Sequence, residues 1–492
     1  MTNDANIADY FVGQAARFPD RVAIREQDDR LTYGALHQRT SKAARVLQRN
    51  GVVAGSRVGI AVSSSFDVAV LTFALWMIDA TVCVVDFRSR LEEHNRITEA
   101  FGLTHIVQAR QPAGRALYKA VIASEFWDEV DSLEDGSAFT PVRPRHPALI
   151  GMTSGTTGTP IGIVRNHGTF ISLSAQYTGF GSSDAPPSSI ALVQPLQFAA
   201  PFHRTTTHLM KGGSVHLLPF LASAPEIADY LLRHAIGQAF VVPSQLRGLL
   251  DISAGGRKPL LPDLKVLDAG GSMLEAQENI RAYRELTPGY AVSYASSLTG
   301  RIAALSGEDV ERYPGSVGRL VFRSEISFVR SDGKPAETGE SGLIRVRGPA
   351  VADDIVGVAR AASDRFEDGW AIPGDLGQLD ENGILTLTGR ASDVIIRGGA
   401  NVFPQEIEAI LRNHPGIGDV AVAGVKDAVL GEEIVAFVVR SGDVKATELE
   451  EFCRRALAPD KRPRRFKMVD SLPYSGMGKV IRRKLVEDHF PE

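Results

Sequence analysis

Over the first three hundred residues, short apolar runs alternate with amphipathic stretches. Val58-Gly59-Ile60-Ala61-Val62 predicts a buried strand. Residues 68–78 are apolar apart from Thr72, with Asp67 before them and Asp79 after, and predict a helix over 67–78 that is buried all round. That run is too short to span a bilayer. Residues 81–85 predict a strand, 91–101 a helix and 105–107 a strand. The rhythm returns with strands at 190–193 and 215–218, a helix at 225–234, strands at 239–242 and 264–267, and a helix at 274–286. Alternation of this kind predicts βαβ units, with parallel sheets covered by helices on both faces.

From about residue 322 the pattern shortens into β segments with Gly-rich turns. Asn382-Gly383, between Leu379 and Ile384, predicts a hairpin. A compact α+β unit follows, with a helix over 404–411 opened by Pro404, strands at 420–422 and 434–439, a helix at 446–457 and a strand near 466–469. The change of pattern places a domain boundary at Arg390 to Asp393, which divides the chain into residues 1–390 and 391–492.

Composition narrows the function. A chain of 492 residues is long enough for more than one domain, and a net charge of −4 gives no electrostatic case for nucleic acid or a membrane surface. The two cysteines, Cys83 and Cys453, make neither a disulfide framework nor a zinc site. Both read as small core residues, and a reducing cytoplasm is the expected compartment. The N-terminal residues 1–6 are polar and do not read as a signal peptide.

Four segments carry candidate chemistry. The first is Thr153-Ser154-Gly155-Thr156-Thr157-Gly158-Thr159-Pro160, directly after the apolar run 148–152. Glycines and hydroxyls in this density suit backbone N–H groups wrapped around phosphate oxygens. The loop lacks the Gly-Lys-Ser/Thr of a Walker sequence. The second segment is Ser293-Tyr294-Ala295-Ser296-Ser297-Leu298-Thr299-Gly300, at a strand end. The third joins Gly374-Asp375 to Gly389-Arg390-Ala391-Ser392-Asp393. A carboxylate there suits paired ribose hydroxyls, and an arginine suits ribose or phosphate. The fourth is Leu472-Pro473-Tyr474-Ser475-Gly476-Met477-Gly478-Lys479, a mobile lysine between glycines. Each segment alone has a plainer meaning, as core aromatic, turn or surface charge. Their order and spacing together make the joint plain reading improbable.

In that order the four segments resemble the adenylate-forming (ANL) superfamily of acyl- and aryl-CoA ligases, adenylation domains and luciferases, over residues 10–485. Residues 398–408 resemble its signature at the start of the small domain, and residues 461–479 look like halobenzoate-type aryl-CoA ligases. The resemblance implies an α/β fold: a large N-terminal domain of parallel-rich sheets and helices with a β-rich subdomain, then a small mobile α+β domain. It implies that ATP and a small-molecule carboxylate form an acyl-adenylate, which a thiol, most often that of CoA, then attacks. By the same resemblance, residues Thr153 to Gly158 cradle phosphates. Tyr294 and Ala295 face adenine with Gly270, Gly271 and Ser272, and Ser297 contacts the α-phosphate. Asp375 and Arg390 hold the ribose, Gly399 belongs to the cofactor site, and Ser392 is the hinge. Lys479 bridges substrate carboxylate and α-phosphate, while Arg462 and Arg464 meet the phosphates of CoA. Phe198, Ala199, Ala200, Ala269 and Leu298 line an apolar acyl pocket for an aryl or medium-chain acid; His203 and Arg301 either contact a polar substituent there or face solvent. A monomer or homodimer is expected.

Two positions depart from that pattern. Ile161 stands where the family has a phosphate-binding lysine, and Leu298 where it has a Mg²⁺-binding glutamate. Leucine cannot ligate a hard cation, so Mg²⁺ is expected mainly on the ATP phosphates, with no metal site on the protein. Arg165 and Lys211 are candidate replacement charges. Three readings therefore stand: CoA ligation, adenylation with a carrier-protein or amine acceptor, and adenylate binding with weak catalysis.

Overall fold

The computed structural model describes residues 5–134, 139–153, 160–177, 189–256, 258–321, 323–357, 365–398, 400–427, 429–474 and 479–490. The expected phosphate-loop residues Ser154, Gly155, Thr156, Thr157 and Gly158, and Gly399 of the small domain, lie outside these, as does the side chain of Thr153.

Three sheets organise the described chain. The first runs, edge to edge, Asp354–Val356, Ile161–Arg165, Leu149–Thr153, Thr81–Val84, Arg57–Ala61, His105–Gln108, Lys119–Ile122. Its last five strands pair in parallel, as near-continuous apolar strands between covering helices do. The helix Ser65–Met77 is buried on all sides from Val68 onward, in keeping with its unbroken apolar run. Trp76 at its end donates its indole N–H to the Ala148 carbonyl at 2.8 Å, which ties the helix to the strand that leads to the phosphate loop.

The second sheet is parallel through Val22–Glu26, Val215–Leu217, Ile190–Leu192, Gln238–Val241, Val266–Ala269 and Tyr290–Ser296. It then turns antiparallel at the hairpin into Gly300–Ser306 and continues as a β-rich extension containing Asp375–Leu379 and Ile384–Arg390. The third sheet belongs to the C-terminal part: Ile395–Arg397, Ala400–Val402, Ile417–Asp427, Gly431–Arg440 and Arg465–Met468. Sheet membership thus changes between Arg390 and Ile395, across the short turn Ala391–Asp393.

Most predicted elements appear within a residue or two. The strand expected at 264–267 starts later, at Val266–Ala269, because Leu264 closes a turn onto Leu261 and its carbonyl accepts from the Thr287 hydroxyl at 2.7 Å. The helix expected at 274–286 is α-helical only over Ala276–Arg281, then widens into a π turn over Ala282–Leu286. The helix Ala199–Lys211 has no matching expectation. Its interior carries His203, Arg204, Thr205, Thr206, Thr207 and His208, all buried, so apolar periodicity does not mark it. Cys83 and Cys453 are buried free thiols, as expected of small core residues.

Candidate active site

Asp375 and Arg390 lie fifteen positions apart in sequence and directly opposite each other in space. They are cross-strand partners in the hairpin whose turn holds Asn382-Gly383, with Gly383 at φ +73°, a left-handed value that suits glycine. Arg390 Nε donates to Asp375 Oδ1 at 3.0 Å. From the other side, the Tyr294 hydroxyl donates to Asp375 Oδ2 at 2.8 Å. Burial, then the Asp375 charge, push the Tyr294 phenol well above its ordinary pKa, so it remains a neutral donor. Tyr294 is therefore an orienting group for Asp375, a role that the sequence does not signal. Asp375 is buried, whereas Arg390 keeps much of its side chain in solvent.

Gly270 and Gly271 follow the strand Val266–Ala269, next to the Tyr290–Ser296 strand. A Cβ on Gly270 would press on the Ser293 carbonyl at 3.2 Å, and Gly271 sits at φ +103°. Glycine is thus required where the two strand ends converge. Ala295 and Ser297 are exposed at the turn of the next hairpin, beside these glycines.

Arg165 holds that turn from behind. It is 1% exposed, and its guanidinium donates to the carbonyls of Ala350, Ser297 (2.8 Å) and Leu298 (3.1 Å). Burial lowers its pKa to about 10, which leaves it charged at neutral pH. The candidate replacement charge is thereby committed to backbone carbonyls of the Ser297 turn. Lys211 lies at the far end of the Ala199–Lys211 helix, where burial lowers its pKa.

Phe198, Ala199 and Ala200 are half-buried at the N-terminus of that helix, and Ala269 is fully buried at its strand end. Leu298 is not brought together with them. It is 3% exposed and packs with Ile163, Ala352, Ile355 and Ala371, because its turn is strapped back onto the first sheet's edge strands. The neighbouring hydroxyls of Ser296 and Thr299 bond each other at 2.8 Å. Among the described residues, no group of three His, Cys, Asp or Glu side chains is arranged to hold a metal ion. At this turn Leu298 itself offers no oxygen to a hard cation. Leu298→Glu is expected to put a carboxylate among aliphatic neighbours and lower stability by roughly 2 kcal/mol. The Mg²⁺ dependence of activity should stay the same. Thermal unfolding and a Mg²⁺ titration check this, and a fall in the Mg²⁺ requirement would refute it.

Lys479 precedes Val480, which bridges to Tyr474, and the Ile481 N–H donates to the Pro473 carbonyl at 2.8 Å. The Lys479 side chain is exposed to solvent. Crowding there, then the Arg390 guanidinium, lower its pKa, while the Asp375 and Asp393 carboxylates raise it. Lys479 thus lies within electrostatic reach of the Asp375–Arg390 pair. An Arg412–Glu275 ion pair at 3.4 Å ties the two parts together. At the expected hinge, the Ser392 hydroxyl bonds Asp393, which Arg482 holds at 3.1 Å. Arg462 is spent on the carbonyls of Leu457 (2.8 Å) and Arg454 (3.0 Å), where it caps a helix end. Arg464 is largely exposed, with a long contact to Glu433.

The profile of the AMP-binding enzyme family matches residues 11–354, and that of the AMP-binding enzyme C-terminal domain matches residues 406–479. A 2–succinylbenzoate–CoA ligase of Bacillus licheniformis is 28% identical over 480 residues, covering 95% of this chain and 97% of that one. The o-succinylbenzoate CoA synthetase of Bacillus subtilis, solved with the acyl-adenylate intermediate OSB-AMP, superposes with a TM-score of 0.85 at 23% identity, over 97% of each chain. The amide bond synthetase McbA of Marinactinospora thermotolerans gives 0.82 at 21% identity, over 98% of this chain and 100% of that one. At these identities the two structures establish a shared fold.

Proposed function

The chain belongs to the AMP-binding enzyme family, and from that premise we propose that it activates a carboxylic acid with ATP and passes the acyl group to CoA. A carboxylate oxygen attacks the α-phosphorus, pyrophosphate leaves, and the CoA thiol then displaces AMP from the acyl carbon. The observation that carries this reading is the Asp375–Arg390 pair, 3.0 Å apart, whose charges also act on Lys479. A cation there faces the negative charge that builds between carboxylate and α-phosphate, and such electrostatic stabilisation is commonly the largest catalytic term.

Asp375, oriented by Tyr294 and Arg390, keeps free lone pairs for the two ribose hydroxyls. Ser297 offers its hydroxyl to the α-phosphate from a turn that Arg165 fixes. The Tyr294 ring, with Gly270 to Ser272, bounds the adenine slot. Mg²⁺, when present, enters on the nucleotide phosphates and neutralises their charge. The ligases named above supply the precedent for an aryl acid and for CoA as acceptor. Among the CoA contacts first expected, Arg464 is the side chain with a free surface, since Arg462 caps a helix.

ATP–pyrophosphate exchange with a panel of aryl and aliphatic acids tests the first half-reaction, and release of AMP on adding CoA tests the second. Exchange is expected, and Arg464→Ala should raise the KM for CoA with exchange intact. ATP binding without exchange on any acid would favour an adenylate-binding role. Exchange without CoA turnover would point to a carrier-protein thiol or an amine.

A further inference from the structure

Val480 and Leu472, on either side of Lys479, pack with Ala421, Phe437 and Leu485 of the third sheet's unit, whereas Asp375 and Arg390 belong to the second sheet. The chain passes between the two units through the short turn Ala391–Asp393. So short a link leaves their relative orientation free, and the surfaces that meet must set it.

At one meeting surface the charges alternate. Glu275 is the N-cap residue of the helix Ala276–Arg281, three positions after Ser272 of the adenine slot, and its backbone N–H donates to Glu278 at 2.9 Å. Arg412 closes the helix Pro404–Leu411 and brings its Nε to 3.4 Å from Glu275. Its Nη2 donates to the Val420 carbonyl at 3.1 Å and lies 3.7 Å from Glu408, so the guanidinium is held in place from its own side. Next to this pair, Arg247 is paired with Glu278, and the Asp419 carboxylate of the small unit also acts on the Arg247 charge. Glu275 and Arg247 on one surface thus answer Arg412 and Asp419 on the other. The Arg412 and Glu275 side chains are 29% and 40% exposed, and a single pair at such exposure contributes little. Alternating charges do something else: they are matched in one register and repel when the surfaces slide.

The network reaches the lysine segment. The Tyr474 hydroxyl bonds the Asp419 carboxylate, and Tyr474 bridges Val480, the residue after Lys479. A second contact bears on the ribose hairpin. A Cβ on Gly389, next to Arg390, would stand 3.0 Å from Gln405 Oε1 and 3.4 Å from the Phe403 ring. We propose that Glu275 and Arg412 are positioning residues: their ion pair, with the Arg247 and Asp419 charges beside it, seats the small unit in the orientation in which Lys479 serves adenylate formation. The proposal rests on the adenylation reading above.

The test is a charge-swap cycle in the full-length protein. It reads ATP–pyrophosphate exchange at saturating ATP and acid, and thioester formation from a supplied acyl-adenylate. Arg412→Glu sets like charges face to face and should lower kcat for exchange by about 3-fold or more, with the KM for ATP changed by less than about 2-fold. Thioester formation should fall less. Glu275→Arg alone should behave in the same way, and it takes the place of Arg412→Glu if that variant does not fold. The two changes together should return exchange to within about 2-fold of wild type. Independently of any acid, amide hydrogen exchange over residues 404–412 should quicken in either single variant and slow again in the swap. Unchanged kcat in both single variants, equal losses in both half-reactions, or no rescue by the swap overturns the proposal alone. Silence of the wild type with every acid overturns the adenylation reading, and the hydrogen-exchange comparison then decides the seating by itself.

Discussion

Lys479→Ala is expected to slow adenylate formation by on the order of 10²-fold or more, because it removes the cation facing the reacting carboxylate and α-phosphate. The charges of Asp375 and Arg390 act on this lysine, which is proposed to serve the first half-reaction. Thioester formation from a supplied acyl-adenylate should fall far less, since that step does not build the same charge at the same place. Equal losses in both halves would remove Lys479 from its assigned role. The pH profile gives a second check. Only the ammonium form can act, and crowding and Arg390 lower its pKa from the ordinary lysine value. The alkaline limb of exchange should therefore begin below the pH at which a free lysine titrates. It should be absent from the residual activity of Lys479→Ala.

Arg165→Met is expected to lower unfolding free energy by on the order of 3 kcal/mol, since three carbonyls, two of them on buried residues, each lose a donor and each loss costs about 1 kcal/mol or more. Those carbonyls belong to Ala350, Ser297 and Leu298, so the change also frees the Ser297 turn. Exchange in the surviving folded protein should fall by about 10-fold, as misplacement of a phosphate contact commonly does. Arg165→Lys, which keeps the charge but loses the fork of donors, should recover only part of either quantity. Denaturant unfolding and exchange at saturating ATP measure the two effects. Unchanged unfolding in Arg165→Met would show that the carbonyls find other donors and that the strap carries no weight.

Much of the fold is legible in the chain because its local signals agree with one another. The parallel strands of the first sheet have apolar centres, the helix Ser65–Met77 is buried on every side from Val68, and Pro404 opens the helix Pro404–Leu411 where expected. The fifteen-residue spacing of Asp375 and Arg390 becomes intelligible as a hairpin pair, since a strand, a tight Asn-Gly turn and a returning strand fix that distance. The helix Ala199–Lys211 is hidden because hydrophobic periodicity finds apolar faces, and its interior is polar.

By itself, then, the sequence determined the alternation of elements, the division near Arg390, and the ordered motif residues that mark adenylate chemistry. These depend on neighbours in the chain, where spacing translates directly into geometry. Tertiary structure decided what distant charges do. Arg165 serves the Ser297 turn 132 positions away, Arg204 neutralises Asp268 across 64 positions, and Leu298 packs into an aliphatic cluster. A charge in sequence is only a charge. Whether it is spent on a carbonyl, paired with a carboxylate or left for a ligand depends on which groups the fold buries beside it, because burial sets the cost of leaving it unmatched.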